Sequence, residues 1–248
     1  MYTQEGYTSE TITINGKNIY FEKIGTGEPL LLLHGYGQSS KAWKSYITSF
    51  KNDFTVYLID LPGHGKSDSF TSTLSIKSVA ADVNSLLDYL GLTRIKAIGF
   101  SFGAEVLFQL ALLHPELVTS MISIGSSGSW DVENFPQAKR SFTFEHRENF
   151  PWLIEAQTSE QQIKILFEEF QNYSIQLSDA ELEAITTRIL LVSGDEDPGV
   201  NLNEIVRVKR HLPNCAIWIL PNVRHSAHTG VNKEIFIERA KAFLANDN

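Results

Sequence analysis

The sequence predicts an α/β fold, an open and mostly parallel sheet with helices on both faces. Three observations carry the prediction. Six short apolar runs recur along the chain: "PLLLLHG", "FTVYLID", "RIKAIGF", "VTSMISIG", "RILLVSG" and "CAIWILP". They are too continuous for a sheet wet on one face, so they read as strands buried on both sides. Helical patterns lie between several of these runs, and such alternation means parallel strands joined by crossover helices. The rhythm then breaks between about Ser129 and Thr187, where no strand is expected.

Each element has its own signal. "TITINGKNIYFEKIG" alternates on both sides of Asn15-Gly16, which predicts a hairpin with a tight turn. "SIKSVAADVNSLLDYLG" spaces Ile76, Val79, Ala80, Val83, Leu86, Leu87 and Leu90 as one helical face, with Gly91 where the helix stops. "GAEVLFQLALLHP" is apolar on most sides and predicts a deeply packed helix ending near Pro115. In the interrupted region, "SEQQIKILFEEF" and "SDAELEAITTR" each begin with a capping-box pattern, Ser159 with Gln162 and Ser178 with Glu181. Upstream of them lies the aromatic-rich "WDVENFPQAKRSFTFEHRENFPW". "NKEIFIERAKAFLAN" predicts an amphipathic closing helix. The expected organisation is a core of residues 1–128 and 188–248, with residues 129–187 inserted as a helical cap. Such an insertion leaves from the carboxyl ends of the strands, where these sheets bind ligands, so it is placed to act as a lid.

Composition narrows the function. The chain has 248 residues, 42% hydrophobic and 20% charged, with a formal charge of −8. That is enough apolar material for a large core. The negative balance, with no basic block, disfavours nucleic acid and anionic membrane as partners. The segment "MYTQEGYTSETI" has no basic and apolar leader pattern, and no apolar run is long enough to span a bilayer; a cytoplasmic monomer or homodimer is expected. The single cysteine, Cys215, excludes an intrachain disulfide and a thiolate zinc site, and reads as a small buried strand residue.

The chemistry centres on "IGFSFGAEV". Ser101 is the middle of G-x-S-x-G, between Gly99 and Gly103, at a strand-to-helix junction. Glycines let the strand and helix backbones pass closely, and the serine is held out at the helix start on a strained turn. A serine hydroxyl needs a base to become nucleophilic. "LLVSGDEDPGV" supplies Asp195, Glu196 and Asp197 after one strand, and "ILPNVRHSAHTG" supplies His225 and His228 after the next. The order along the chain is serine, acid, histidine, and each follows the carboxyl end of a strand, which puts all three at one edge of the sheet. Oxyanion donors are expected from the N–H of Phe102, at the helix start, and of Tyr36 in "LLLLHGYG". A metal site built from Asp195, Asp197, His225 and His228 would leave the serine and its turn unexplained.

The motifs "HGYG", "DLPGHGKSD", "GFSFGA", "GDEDPGV" and "PNVRH" together resemble the α/β-hydrolase fold superfamily, in the family's order and over nearly the whole chain outside the insertion. The resemblance implies an eight-stranded sheet and a helical cap. It implies Ser101, Asp197 and His225 as the triad, because the family's acid closes a G-x-x-D and His225 keeps the usual distance from Pro221. Asp195 and His228 are then neighbours, and Arg224 stands where the family usually has glycine. His34 and His64 read as structural hydrogen-bonding residues, and Asp60 and Ser67 as fixing the loop between them. The implied activity is hydrolysis of a small or medium carboxylic ester, thioester or lactone through an acyl-enzyme. No cofactor and no metal are implied. A carbon–carbon bond hydrolase or an acyltransferase with the same triad is an alternative, as is a ligand-binding member that does not turn over. Haloalkane dehalogenase and epoxide hydrolase types carry an aspartate at the position of Ser101, which argues against those activities. The cap aromatics Phe142, Phe144, Phe150 and Trp152 are expected to hold the lid or line a closed apolar pocket. Arg140, His146 and Arg147 are the polar cap groups most able to reach a bound carboxylate or carbonyl, with a solvated lid face the more ordinary reading of each.

Overall fold

The structure is a computed structural model describing residues 6–245; residues 1–5, where the segment read for a leader begins, and 246–248 lie outside it. Strand β1 (Thr8–Ile14) and β2 (Lys17–Gly25) form the expected antiparallel hairpin. Asn15 and Gly16 both take left-handed φ, 51° and 77°, the turn whose twist matches paired strands. Then come β3 (Glu28–Leu33), a 3₁₀ segment Ser40–Tyr46 running into the one-turn helix α1 (Ile47–Phe50), and β4 (Phe54–Ile59). Helix α2 (Ile76–Tyr89), β5 (Ile95–Phe100), α3 (Phe102–Leu113) and β6 (Val118–Ile124) follow.

Between the sheet strands β6 and β9 the chain forms β7 (Ser129–Asp131), α4 (Pro136–Ser141), α5 (Pro151–Ala156), α6 (Glu160–Phe170), β8 (Ser174–Gln176) and α7 (Asp179–Ala184). It ends with β9 (Arg188–Gly194), α8 (Leu202–His211), β10 (Cys215–Leu220) and α9 (Lys233–Ala245). Eight strands form one sheet in the order β1-β2-β4-β3-β5-β6-β9-β10, parallel from β4 to β10.

Alternate strand residues feed two cores, as the pleat requires. Leu31, Leu33, Tyr57, Ile59 and Ala97 pack with residues of α2, α3 and α8. Leu30, Leu32, Val56, Leu58 and Ile98 pack on the other face with Trp43, Phe50 and α9. Helices therefore cover both faces. None among the described residues is long and apolar enough to cross a membrane.

Two expectations need correction. Residues 129–187 do contain strand: β7 and β8 pair antiparallel, Ser129 with Gln176 through Asp131 with Ser174. Three residues are too few to display a period, so the pairing is invisible in sequence. The capping box at Ser178 is complete, but the one at Ser159 is half made. The Gln162 side chain turns instead to Thr158 and donates to the Ser67 carbonyl at 3.0 Å, which ties α6 to the body. Helix α8, not among the expected helices, buries only Ile205 and Val208.

Candidate active site

The turn after β5 is built by close approach. A Cβ on Gly99 would lie 2.6 Å from the Ala104 nitrogen, and one on Gly103 would lie 2.5 Å from the Leu33 carbonyl oxygen. No side chain fits at either place, so the helix packs directly on the strands. Ser101 between them has φ 51° and ψ −116°, a conformation that costs a non-glycine residue on the order of 1–3 kcal/mol. Its N–H donates to the Ile124 carbonyl at 2.7 Å, which anchors the turn to β6.

Of the two candidate histidines, His225 meets the acid. Its Nδ1 lies 2.9 and 3.0 Å from the two carboxylate oxygens of Asp197, and Asp197 also accepts from the Gly199 N–H at 2.8 Å. The Asp197 carboxylate is fully covered while His225 is partly open. With Nδ1–H committed to Asp197, the lone pair of the other ring nitrogen, Nε2, is left free to accept a proton. His228 has a different fate. Its ring is buried among Trp43, Tyr46, Phe100 and Phe236, with Phe100 centred 4.7 Å from it and 5.0 Å from His225. Burial, and then the neighbouring His225, hold it down at about 3, so it is neutral. Asp195 is exposed and accepts from the Val223 N–H at 3.4 Å.

The loop after β3 carries Tyr36. His34 is buried and locks this loop: Nδ1–H donates to the Gly35 carbonyl at 2.8 Å, and Nε2 accepts from Leu61 N–H at 3.0 Å. Desolvation lowers the pKa of both His34 and His64. Asp60 accepts from Ser40 N–H and Lys66 N–H, and Ser67 Oγ donates to the Asp60 carbonyl, so this loop is held by backbone bonds. The Tyr36 phenol donates to the Leu166 carbonyl at 2.6 Å, joining the loop to α6. Among the described residues, the backbone N–H groups of Tyr36 and Phe102 donate to no backbone or side-chain acceptor.

Ser101 and His225 open on one cavity of about 520 Å³. Tyr36, Phe100, Trp130, Phe142, Phe170 and Tyr173 make its walls largely apolar. Of the expected cap aromatics, Phe142 and Trp152 line it, while Phe144 and Phe150 pack against Phe167 behind it. Arg140, His146 and Arg147 are not in its lining. Arg147 donates to the Phe144 carbonyl and lies over the Phe144 ring, and His146 pairs with Thr143. These short local bonds use the polar groups near their own helix turns. Cys215 is buried, and its thiol is pushed up to about 11.

One lining residue escaped the sequence reading. Glu105, one helical turn after Ser101, is only 4% exposed. Ser126 Oγ lies 3.4 Å from its Oε1, and its Oε2 has no partner. Burial pushes its carboxyl up to about 8. The field at a helix N-terminus favours the anion by at most about 2 kcal/mol, less than the roughly 5 kcal/mol of that shift. Burial thus biases Glu105 toward its neutral form, against the pull of the helix start. An acid in an otherwise apolar helix was the available signal.

A stability measurement checks this. The folded carboxyl keeps its proton up to about pH 8, while the unfolded one releases it near 4.5. Over that window the folded state binds more protons, so Glu105 costs stability as pH rises. Glu105→Gln should gain on the wild type from pH 5 to pH 8, by on the order of 4 kcal/mol. Urea unfolding at both pH values measures it; a difference independent of pH would mean that Glu105 titrates alike in both states.

Comparison with known proteins agrees with this fold. Residues 28–161, more than half of the chain, match the family model of the alpha/beta hydrolase fold. A stretch of 112 residues is 38% identical to pimeloyl-[acyl-carrier protein] methyl ester esterase of Proteus mirabilis, covering 44% of this chain and 41% of that protein. One of 111 residues is 34% identical to the soluble epoxide hydrolase of Corynebacterium sp., covering 45% of this chain and 39% of that protein. The chain thus spans about two fifths of the length of these two relatives. Carboxylesterase CesB of Bacillus subtilis shares the fold, with a TM-score of 0.79 at 19% identity over 98% of this chain and 93% of that one. By its motifs, its sheet and this match, the chain belongs to the alpha/beta hydrolase fold family.

Proposed function

We propose that the protein is a serine hydrolase that cleaves small or medium carboxylic esters through an acyl-enzyme on Ser101. The observation that carries this reading is the placement of Ser101, on a left-handed backbone, in one cavity with a histidine held by a buried carboxylate. His225 Nε2 takes the Ser101 proton as Oγ attacks the ester carbonyl carbon. Asp197 holds the imidazolium that forms. The N–H groups of Tyr36 and Phe102 receive the oxyanion. Collapse breaks the carbon–oxygen bond, and His225 returns the proton to the leaving alcohol. Water then repeats the sequence on the acyl-enzyme and frees the acid. The hydroxyl at the elbow, where epoxide hydrolase types have a carboxylate, supports the ester reading over an epoxide substrate.

Substrate size follows from the cavity. A volume of about 520 Å³ with apolar walls suits a compact acyl compound. With acetyl, butyryl, octanoyl and palmitoyl nitrophenyl esters, kcat/KM is expected to be highest for the short chains and to fall steeply by octanoyl. A maximum at palmitoyl, or activation at a lipid interface, would indicate a lipase instead.

A further inference from the structure

The cavity that holds Ser101 and His225 has a neighbour that the mechanism above does not use. A cleft of about 740 Å³ adjoins it, with Asp131, Asn134, Asn201 and Glu204 among its polar lining. Ser129, Trp130, Phe135, Pro198 and Gly199 line both spaces and so make up the wall between them.

Trp130 and Phe135 are the large side chains of that wall. Their rings stack face to face, 4.1 Å between centroids and 7° from parallel. Both rings are held from the backbone. Trp130 is the middle residue of β7, paired with Ile175, and the Phe135 N–H donates to the Val132 carbonyl at 3.0 Å just before α4. Gly199 closes the other flank. A Cβ added there would lie 3.3 Å from Trp130 Cζ3, 3.4 Å from Asp197 Oδ1 and 3.8 Å from His225 Cε1. The edge of the indole therefore reaches the loop that carries the acid, beside the base. The buried Trp130 Nε1–H makes no hydrogen bond among the described residues. A buried indole N–H usually finds an acceptor, and going without one costs stability. Phenylalanine would stack on Phe135 without that orphan group. What tryptophan adds here is the area of its plate.

We propose that Trp130, braced by Phe135, is the partition that keeps the active cavity apart from the cleft and so sets the length limit of its substrates. This deepens the ester hydrolase reading and rests on it for the substrate class. A long arm that ends against the indole would, without that plate, run on into the cleft. The wall stands whichever arm of the ester faces it, so both arms are tested.

The ligands are stable amides that copy the two arms: N-(4-nitrophenyl)butanamide and N-(4-nitrophenyl)octanamide for the acyl side, N-butyl- and N-octyl-4-nitrobenzamide for the leaving side. Their dissociation constants are measured by equilibrium dialysis in a Ser101→Ala background, and the readout is the octyl-to-butyl ratio within each series. A general loss of packing weakens both members and leaves the ratio. In the Ser101→Ala parent the octyl arm is expected to bind no more tightly than the butyl arm. Adding Trp130→Ala should shift the ratio toward octyl by about tenfold in at least one series, the worth of roughly two more buried methylenes. Trp130→Phe should fall between the parent and alanine. Phe142→Ala removes a ring that lines the cavity but not the cleft, and should shift the ratio less. If Trp130→Ala does not fold, Phe135→Ala is read in the same way. A ratio unmoved by Trp130→Ala in both series, or moved as far by Phe142→Ala, overturns the partition. These measurements do not use the nucleophile. Fluorophosphonate labelling of the chain with Ser101 intact reports on it separately, so the two readings fail independently.

Discussion

Ser101→Ala is expected to abolish ester turnover, with a loss on the order of 10⁶ in kcat, and to abolish labelling by a fluorophosphonate. The hydroxyl is the only group removed. Alanine meets the same left-handed backbone as serine, so the strain at φ 51° persists and the fold should be kept. Ser101→Gly is the informative companion. It also lacks the nucleophile, but glycine relieves the backbone by about 1 kcal/mol or more. A glycine variant that melts higher than the wild type and has no activity would show that strain is being spent on placing this side chain. Wild-type turnover in Ser101→Ala would remove the nucleophile, and with it the mechanism.

The two histidines should separate by effect. His225→Ala is expected to cost several orders of magnitude in kcat, and Asp197→Asn about 10⁴, because the asparagine no longer selects the tautomer that leaves Nε2 free. His228→Ala should cost about tenfold or less in activity but on the order of 2–4 kcal/mol in stability, since it empties a packed site among Trp43, Tyr46, Phe100 and Phe236. The pH dependence of that stability has a definite sign. His228 is held at about 3 when folded, whereas an unfolded histidine takes up its proton near 6.5. The unfolded state therefore binds more protons below neutrality, and stability contributed by His228 is lost as pH falls from about 6.5 toward 3. His228→Phe should flatten this slope, measured by thermal melts between pH 5 and 7. If kcat fell further in His228→Ala than in His225→Ala, the base would have to be His228.

Where the sequence was readable, the reason is continuity. β5 is buried at all its positions, and apart from Lys96 its residues are apolar or glycine. The hairpin was readable because Asn15-Gly16 is a chemical requirement of its turn. Helix α8 was not, since most of its residues face water and its apolar spacing is thin. The site behaves likewise. Ser101, Asp197 and His225 stand beside turn residues that mark strand ends. His225 and His228 are three positions apart, and only the packing tells which one meets Asp197 and which lies behind Phe100. Glu105 leaves no periodic trace, because one acid among apolar residues does not change a helical pattern.

The short ladder between β7 and β8 has a consequence for how such a chain can change. The two ends of the intervening segment are already clasped, Ser129 to Gln176 and Asp131 to Ser174. Seen from the sheet, everything between them is a loop whose ends have met. Closure entropy grows only with the logarithm of loop length, so doubling that segment adds about 0.6 kcal/mol. Insertions and deletions there are thus nearly free to the eight-stranded frame, while each one reshapes the wall that Trp130, Phe142, Phe170 and Tyr173 present to the cavity. The shape of that cavity can drift by changes in length as readily as by substitution, with Ser101, Asp197 and His225 left in place.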